Sequence, residues 1–362
     1  MFRRQSRDRV SVQEVLQALS TVVDPDLKRD IVSLGFVKNL RLQDGRVSFD
    51  LELTTPACPL KEVMKQAAEE VVSALPGVEE VRINLTARVR PGPSLPQRVA
   101  LPGVRNLIAV ASGKGGVGKS TVASNLTVAL AQTGAQVGLM DADIYGPNVP
   151  IMLGEHRRPG TNPQGQIVPL EKYGVRLMSL GLLTDERAPV IWRGPLVSKM
   201  VQEFLTRVAW GELDYLIVDL PPGTGDAQLT LAQSAPLSGA IIVTTPQEVA
   251  LEDVIRALRM FQRVEVPLLG LVENMSYYLC PHCGQRAEIF RHGGGRRAAE
   301  QLGLPFLGEI PLDPEICLTG DQGTPLVVTH PQSPSAQAFR EIASAVAAQV
   351  SIVNLTAHVP SS

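Results

Sequence analysis

Residues 107–132 run from five apolar residues, Leu107-Ile108-Ala109-Val110-Ala111, through Ser112-Gly113-Lys114-Gly115-Gly116-Val117-Gly118-Lys119-Ser120-Thr121, into a helical stretch that ends at Gln132. This order limits the possible folds more than any other feature of the chain. Glycines let the backbone curl with its N–H groups facing inward, and the start of the following helix adds partial positive charge, so together they bind phosphate oxygens. The letters satisfy G-x-x-x-x-G-K-[ST] in the strand-loop-helix context that a phosphate-binding P-loop requires. Residues 113–121 are therefore expected to cradle the phosphates of a nucleotide. Lys119 is expected to reach the β- and γ-phosphates and Ser120 to offer its hydroxyl to Mg²⁺. The alternative, a glycine-rich turn without a ligand, does not account for the flanking strand and helix.

Such a site also needs an acid beside the metal, at the end of a buried strand. Leu216-Ile217-Val218-Asp219-Leu220-Pro221-Pro222-Gly223 places Asp219 there, followed by a Pro/Gly loop suited to sensing the γ-phosphate. Asp219 is the expected second Mg²⁺ ligand. The run 137–140 ends in Asp141-Ala142-Asp143. Asp141 could be a site acid or a surface turn residue, whereas Asp143 is expected to orient an attacking water.

From residue 103 onward, predominantly apolar runs (107–111, 137–140, 215–218, 240–245, 268–272 and 306–310) alternate with helical stretches. Such strands must be covered on both faces, which predicts a doubly wound α/β domain with a mostly parallel sheet over residues 104–350. Residues 351–362 are expected to form a flexible tail. Residues 1–90 read as a small α+β domain. Ser11-Val12-Gln13-Glu14 is a capping box, and Asp44-Gly45 sits as a hairpin turn between the alternating runs 37–42 and 47–53. Leu60, Val63, Met64, Ala67 and Val71 recur at helical spacing before Pro76-Gly77, and 78–89 alternates again as a third strand. Between the domains, Arg90-Pro91-Gly92-Pro93-Ser94-Leu95-Pro96-Gln97 carries three prolines and a glycine, so residues 91–103 are expected to be a linker.

At 362 residues and 44% hydrophobic content, the chain can bury the cores of two domains. Lys and Arg number 34 against 36 Asp and Glu, a net charge of −2, so no whole-chain field favours nucleic acid or an anionic membrane, and neither is expected as a partner. The basic start, residues 1–9, leads into no apolar signal region, and no run of about 18 apolar residues occurs, which predicts a cytoplasmic protein. The sequons at Asn84, Asn125 and Asn354 require secretion and are not expected to be used.

The cysteines, Cys58, Cys280, Cys283 and Cys317, are too few and scattered for a disulfide framework. Cys280 and Cys283 lie two residues apart in Tyr277-Tyr278-Leu279-Cys280-Pro281-His282-Cys283-Gly284. Thioredoxin-like exchange would place such a pair at a helix N-terminus early in a βαβ unit, not after a late strand. A zinc knuckle within one chain would need His282 or His292 and a further ligand. A site shared by two copies supplies four thiolates, the number that a [4Fe–4S] cluster or Cys₄ zinc requires. Cys58 is either a small buried hydrophobe or a thiolate favoured by the helix that starts near Leu60. Cys317, in an apolar context, is expected in the core.

The extra Lys114, in the form K-G-G-x-G-K-[ST], resembles the deviant Walker A motif of the ParA/MinD superfamily. With residues 141–148 (DADIYGPN), 218–226 (VDLPPGTGD), 243–251 (VTTPQEVAL) and 273–284 (ENMSYYLCPHCG), the chain closely resembles the Mrp/ApbC iron–sulfur cluster carriers over most of residues 103–347. Residues 24–35 and 54–59, including Thr54-Thr55-Pro56-Ala57-Cys58-Pro59, resemble the small iron–sulfur assembly domain that often precedes that ATPase. The resemblance implies a homodimer with nucleotide at the interface, Lys114 reaching the partner's phosphates and Asn274 near the adenine base. It also implies slow ATP hydrolysis as a switch, a [4Fe–4S] cluster passed to apo-proteins, assembly scaffolds as partners, and Cys58 as an accessory functional residue. Zinc is the competing occupant of the thiol pair. A partitioning ATPase of the same superfamily would need a basic or amphipathic docking surface, and residues 338–362 carry one basic residue, Arg340. An electron-transfer relative would need cysteines in two separate loops, and a ligase a second substrate site that the sequence does not display.

Overall fold

A computed structural model describes residues 10–92, 101–143, 146–183, 194–223, 225, 228–229, 232–233 and 235–356. The chain divides into two units, Met1–Arg90 and Pro91–Ser362.

In the first unit the helix Val12–Leu19 opens on the expected capping box: Glu14 N–H donates to Ser11 Oγ at 3.2 Å while Ser11 N–H donates to Glu14 Oε2 at 2.7 Å. A short pair, β1 (Val23–Asp24) and β2 (Arg29–Asp30), precedes the hairpin of β3 (Val37–Gln43) and β4 (Arg46–Leu53). Asp44 and Gly45 turn it with φ of +46° and +77°, the two positive values that a type I′ turn needs. Along β4, Val47, Phe49, Leu51 and Leu53 are buried in alternation. The helix Lys61–Ser73 then crosses back so that β5 (Glu80–Ala87) pairs parallel with β4. This helix buries Met64, Ala68 and Val72, whereas Val63 is 62% exposed. Of the expected positions, Met64 is buried and Ala67 and Val71 pack partly buried against the core, so only Val63 departs from it. An i, i+4, i+8 line faces the core, and Val63, about 100° away from Met64, faces outward.

In the second unit the described strands are β6 (Leu107–Ala111), β7 (Val137–Asp141), β8 (Leu170–Lys172), β9 (Val175–Ser179), β10 (Tyr215–Asp219), β11 (Leu237–Thr244), β12 (Leu268–Glu273), β13 (Tyr278–Leu279), β14 (Arg286–Ala287) and β15 (Phe306–Glu309). One sheet has the order β15-β12-β11-β6-β10-β7-β9-β8, parallel except for the edge strand β8. β6, β7, β10 and β11 are buried at every residue, as a sheet covered on both faces requires. The helix Lys119–Gln132, with Val122, Leu126 and Leu130 fully buried, packs against the helix Pro334–Thr356. Each such side chain contributes about 1.5–3 kcal/mol. Phe204, Trp210 and Phe261 belong to another buried cluster with Leu216 and Val218 of β10.

The hairpin β8–β9, turned at Tyr173 (φ +50°) and Gly174 (φ +76°), leaves no clear mark in the sequence, because its strands are short and interrupted by Glu171 and Arg176. One expectation needs correction. Residues 351–356 are not tail: the helix Pro334–Thr356 continues through them, with Ser351 and Asn354 buried and Asn354 Nδ2 donating to Asn106 Oδ1 at 2.9 Å. Residues 357–362 lie outside the described residues, as do residues 93–100 of the expected linker. Gly92 N–H, at the start of that segment, donates to the Arg105 carbonyl at 2.9 Å.

Candidate functional site

The carboxyl ends of β6, β7, β10 and β12 carry the expected site residues, in the region where open α/β sheets bind ligands. Gly116 and Gly118 have φ of +79° and +78°, backbone that L side chains rarely adopt. Gly113 is needed for a different reason, since a Cβ there would lie 2.4 Å from Asp253 Cβ. Lys119 begins its helix, and its ammonium lies 3.3 Å from Ser120 Oγ, 2.6 Å from Asp219 Oδ1 and 3.9 Å from Asp143 Oδ2. The other Asp219 oxygen, Oδ2, is buried without a hydrogen-bond partner among the described residues. A buried carboxylate oxygen of this kind suits a cation or its water. Ser120 and Asp219 therefore fit the metal, and the glycine curl fits phosphate. The Lys114 side chain is half-buried, and no hydrogen bond or ion pair among the described residues engages it.

Asp141 is not a surface turn residue. It is 1% exposed and stands beside Asp219 in the β7–β10 register. Ser179 Oγ donates to its Oδ2 at 2.9 Å and Asp143 N–H to its Oδ1 at 3.1 Å. Burial first, and then the Asp219 carboxylate, push Asp141 up to about 8, because two adjacent buried carboxylates resist joint ionisation. Asp143 thus sits within reach of Lys119, oriented from behind by Asp141.

Asn274 lies directly against the loop. Its Nδ2 donates to the Val117 carbonyl at 2.8 Å, and a Cβ on Gly118 would come within 2.2 Å of that nitrogen. Beside it is a cavity of about 230 Å³, lined among others by Gly118, Thr121, Asn274, Met275, Leu312 and Cys317. Its lining is mostly apolar with a few polar groups, the character of a site for a flat ring. Cys317, expected in the core, is exposed and lines this cavity. The helix Pro314–Asp321 turns its apolar Ile316 and Cys317 toward the opening, and the spacing of these residues alone gives no sign of that.

Cys280 and Cys283 sit at the turn of the two-stranded hairpin β13–β14, closed by Cys280 N–H to the Gln285 carbonyl at 2.9 Å and Gly284 N–H to the Cys280 carbonyl at 2.8 Å. Cys283 is exposed and Cys280 partly so. Backbone N–H groups of His282, then of Cys283, and finally the Cys283 thiol, hold the Cys280 thiol below the ordinary thiol range. Among the described residues, the one cluster of three ligating side chains is Glu273–His292–Glu309, and it includes neither thiol. His292, a candidate third zinc ligand, has Nε2 2.8 Å from Glu309 Oε2. The surrounding arginines are occupied as well: Arg286 stacks 3.7 Å over the Tyr277 ring and Arg296 4.3 Å over Phe306.

Cys58, in the first unit, is partly buried against that unit's core. Burial raises its pKa, and Asp24 and Asp26 raise it further, against the opposing Leu60 N–H and Lys61. The start of the following helix does not outweigh desolvation there.

The sequence profile of the NUBPL iron-transfer P-loop NTPases matches residues 103–347. The chain belongs to this family. Residues 12–84 match the iron–sulfur cluster assembly protein family, so the NTPase follows an assembly-type region. The chain is 50% identical to the iron–sulfur cluster carrier protein of Synechocystis over 351 residues, 96% of this chain and 99% of that one. It is 48% identical to the carrier of Deinococcus radiodurans, covering 94% and 96% of the two chains. Among solved structures, a nucleotide-binding protein from Archaeoglobus fulgidus in complex with ADP is similar at TM-score 0.56 and 42% identity, over 62% of this chain and 88% of that one. The cell division ATPase MinD of Pyrococcus furiosus shares the fold at TM-score 0.51 and 24% identity, over 67% and 98%. No helix among the described residues is long and apolar enough to cross a membrane.

Proposed function

We propose that this protein is an ATP-dependent carrier that holds a [4Fe–4S] cluster between two subunits and transfers it to apo-proteins, with slow ATP hydrolysis switching the dimer. The observation that carries this reading is the partly exposed Cys280–Cys283 pair, held at a hairpin turn with no further ligating side chain grouped with it among the described residues. Two thiols cannot complete a cluster, and a second copy supplies the other two. The names of the Synechocystis and Deinococcus relatives support carriage as the end use, and the ADP complex of the Archaeoglobus relative supports nucleotide in the loop.

In this reading residues 113–121 hold the nucleotide phosphates, with Lys119 on the β- and γ-phosphates, and Ser120 and Asp219 hold Mg²⁺. Lys114 reaches the partner's nucleotide, Asp143 orients the water and Asn274 faces the base. Hydrolysis needs no proton acceptor beyond the positioned acids, since phosphoryl transfer depends chiefly on placement and charge neutralisation. The cluster is cargo, exposed at a hairpin turn, and its release to apo-proteins or receipt from assembly scaffolds follows from that exposure.

Anaerobic reconstitution with iron and sulfide tests the reading. The wild type should hold about four iron atoms per dimer, and a Cys280→Ala/Cys283→Ala variant none. Iron bound equally by both, or about one zinc per dimer in the metal-replete protein, would overturn it.

A further inference from the structure

We propose that Glu273, Ser276, Glu309 and His292 form a positioning network that transmits occupancy of the nucleotide cavity to the Cys280–Cys283 hairpin within one subunit. The inference rests on the proposed reading of the cavity and of the thiol pair, and it adds the residues that connect them.

The two sites share a short piece of chain. Asn274, bonded to the P-loop, and Met275, in the cavity wall, are followed by Ser276 and then by β13, which leads into Cys280. Met275 has φ +55°, an uncommon backbone for a side chain of this size. The second connection is Leu312. It lines the cavity, its N–H donates to the Tyr277 carbonyl at 2.7 Å, and it bridges Tyr278 of β13. A ligand that moves either wall residue therefore pulls on the base of the hairpin.

The hairpin is held to the sheet by carboxylates. Glu273, fully buried at the end of β12, accepts Ser276 Oγ at 2.5 Å and Gly293 N–H at 3.0 Å on Oε1, and Gly295 N–H on Oε2. It thereby fixes the start of the helix Gly294–Leu302. Ser276 Oγ also lies 3.3 Å from Glu309 Oε2, which is 2.8 Å from His292 Nε2, while Glu309 Oε1 lies 3.7 Å from Arg286 of β14. Arg286 in turn covers Tyr277, whose ring meets His292 edge-on at 6.2 Å. The ligating atoms of Glu273, His292 and Glu309 lie within 4.8 Å of one another. Both Glu273 oxygens already accept N–H or O–H donors, which makes the group a hydrogen-bonded brace rather than a cation cradle. Ser276 is its pivot: one hydroxyl touches the carboxylate that ends β12 and the carboxylate that holds the far strand of the hairpin.

The test uses the full chain without metal, so that its outcome is independent of cluster binding, which iron content reports separately. Alkylation of Cys280 and Cys283 by N-ethylmaleimide is followed by peptide mass spectrometry with and without saturating Mg-ADP. The wild type should show a nucleotide-dependent change in rate of about fivefold, the lower end of ordinary coupling between sites. Ser276→Ala and Glu309→Gln, melting and binding ADP as the wild type does, should bring the ratio close to one. A wild type insensitive to ADP overturns the proposal, as do variants that keep the wild-type ratio. A loss of folding in either variant is resolved by the other, since Ser276→Ala removes only an oxygen.

Discussion

The Lys119 ammonium lies 2.6 Å from Oδ1 of Asp219, a residue one hundred positions later in the chain, with the two side chains 6% and 0% exposed. The P-loop lysine is therefore placed by the acid of a neighbouring strand, β10, which pairs directly with β6. Removing the lysine strands a buried carboxylate, and removing both charges does not.

Lys119→Ala should accordingly destabilise the protein at neutral pH by about 3–5 kcal/mol, whereas Lys119→Met with Asp219→Asn should recover most of that loss. Neither should bind Mg-ADP. Urea unfolding and titration calorimetry check both statements, and a double variant no more stable than Lys119→Ala contradicts the pairing.

Gly118 and Gly116 separate strain from obstruction. Both have φ near +78°, but only Gly118 would drive a Cβ into Asn274, while Gly116 meets nothing within 4 Å. Gly116→Ala should cost about 1 kcal/mol of backbone strain. Gly118→Ala should weaken Mg-ADP binding by at least about tenfold, or 1.4 kcal/mol, through displacement of Asn274. Equal losses in the two variants, measured by calorimetry, would remove Asn274 from the explanation.

Cys317 reports on the cavity. Because it is exposed beside Asn274 and Met275, its alkylation should slow on addition of Mg-ADP. Peptide mass spectrometry distinguishes it from Cys58, Cys280 and Cys283. An unchanged rate at saturating nucleotide places the base elsewhere.

Glu155 carries a pH dependence. It is 3% exposed, and the Arg157 guanidinium bonded to it lowers its pKa to about 2. A depressed carboxylate stabilises the fold above its unfolded value, about 4.3, and the contribution disappears as pH falls toward the folded value. Since Arg157 is largely exposed, the effect should be only about 1–2 kcal/mol. Glu155→Gln should be less stable than the wild type by that amount at pH 7, and the gap should shrink between pH 4.5 and pH 3. A gap independent of pH in urea titrations would point to packing instead.

The α/β class and the P-loop were legible because each depends on near neighbours: apolar runs on both faces, glycines at positive φ, and a helix start after the curl. Asp219 was legible as the acid that ends such a run, and Glu273, which ends β12 in the same way, carried the same signal unread. The Leu60 to Val71 stripe was legible except at Val63, which faces outward because the core line runs through Met64, Ala68 and Val72, with Ala67 and Val71 at its edge. Cys317 was misread because local apolar context does not distinguish a side chain turned into a core from one turned into a cavity.

The sequence alone determined the strand-loop-helix of residues 107–132, the capping box at Ser11, the hairpin turn at Asp44–Gly45 and the two-residue spacing of Cys280 and Cys283. These follow from periodicities and backbone preferences that act over a few residues. Only the tertiary structure decided that Lys119 meets Asp219, that Asn274 closes on Gly118, and that Ser276 stands between Glu273 and Glu309. Those meetings depend on the strand order β15-β12-β11-β6-β10-β7. Parallel crossovers set that order through the packing of whole helices on the sheet, and spacing along the chain does not encode it.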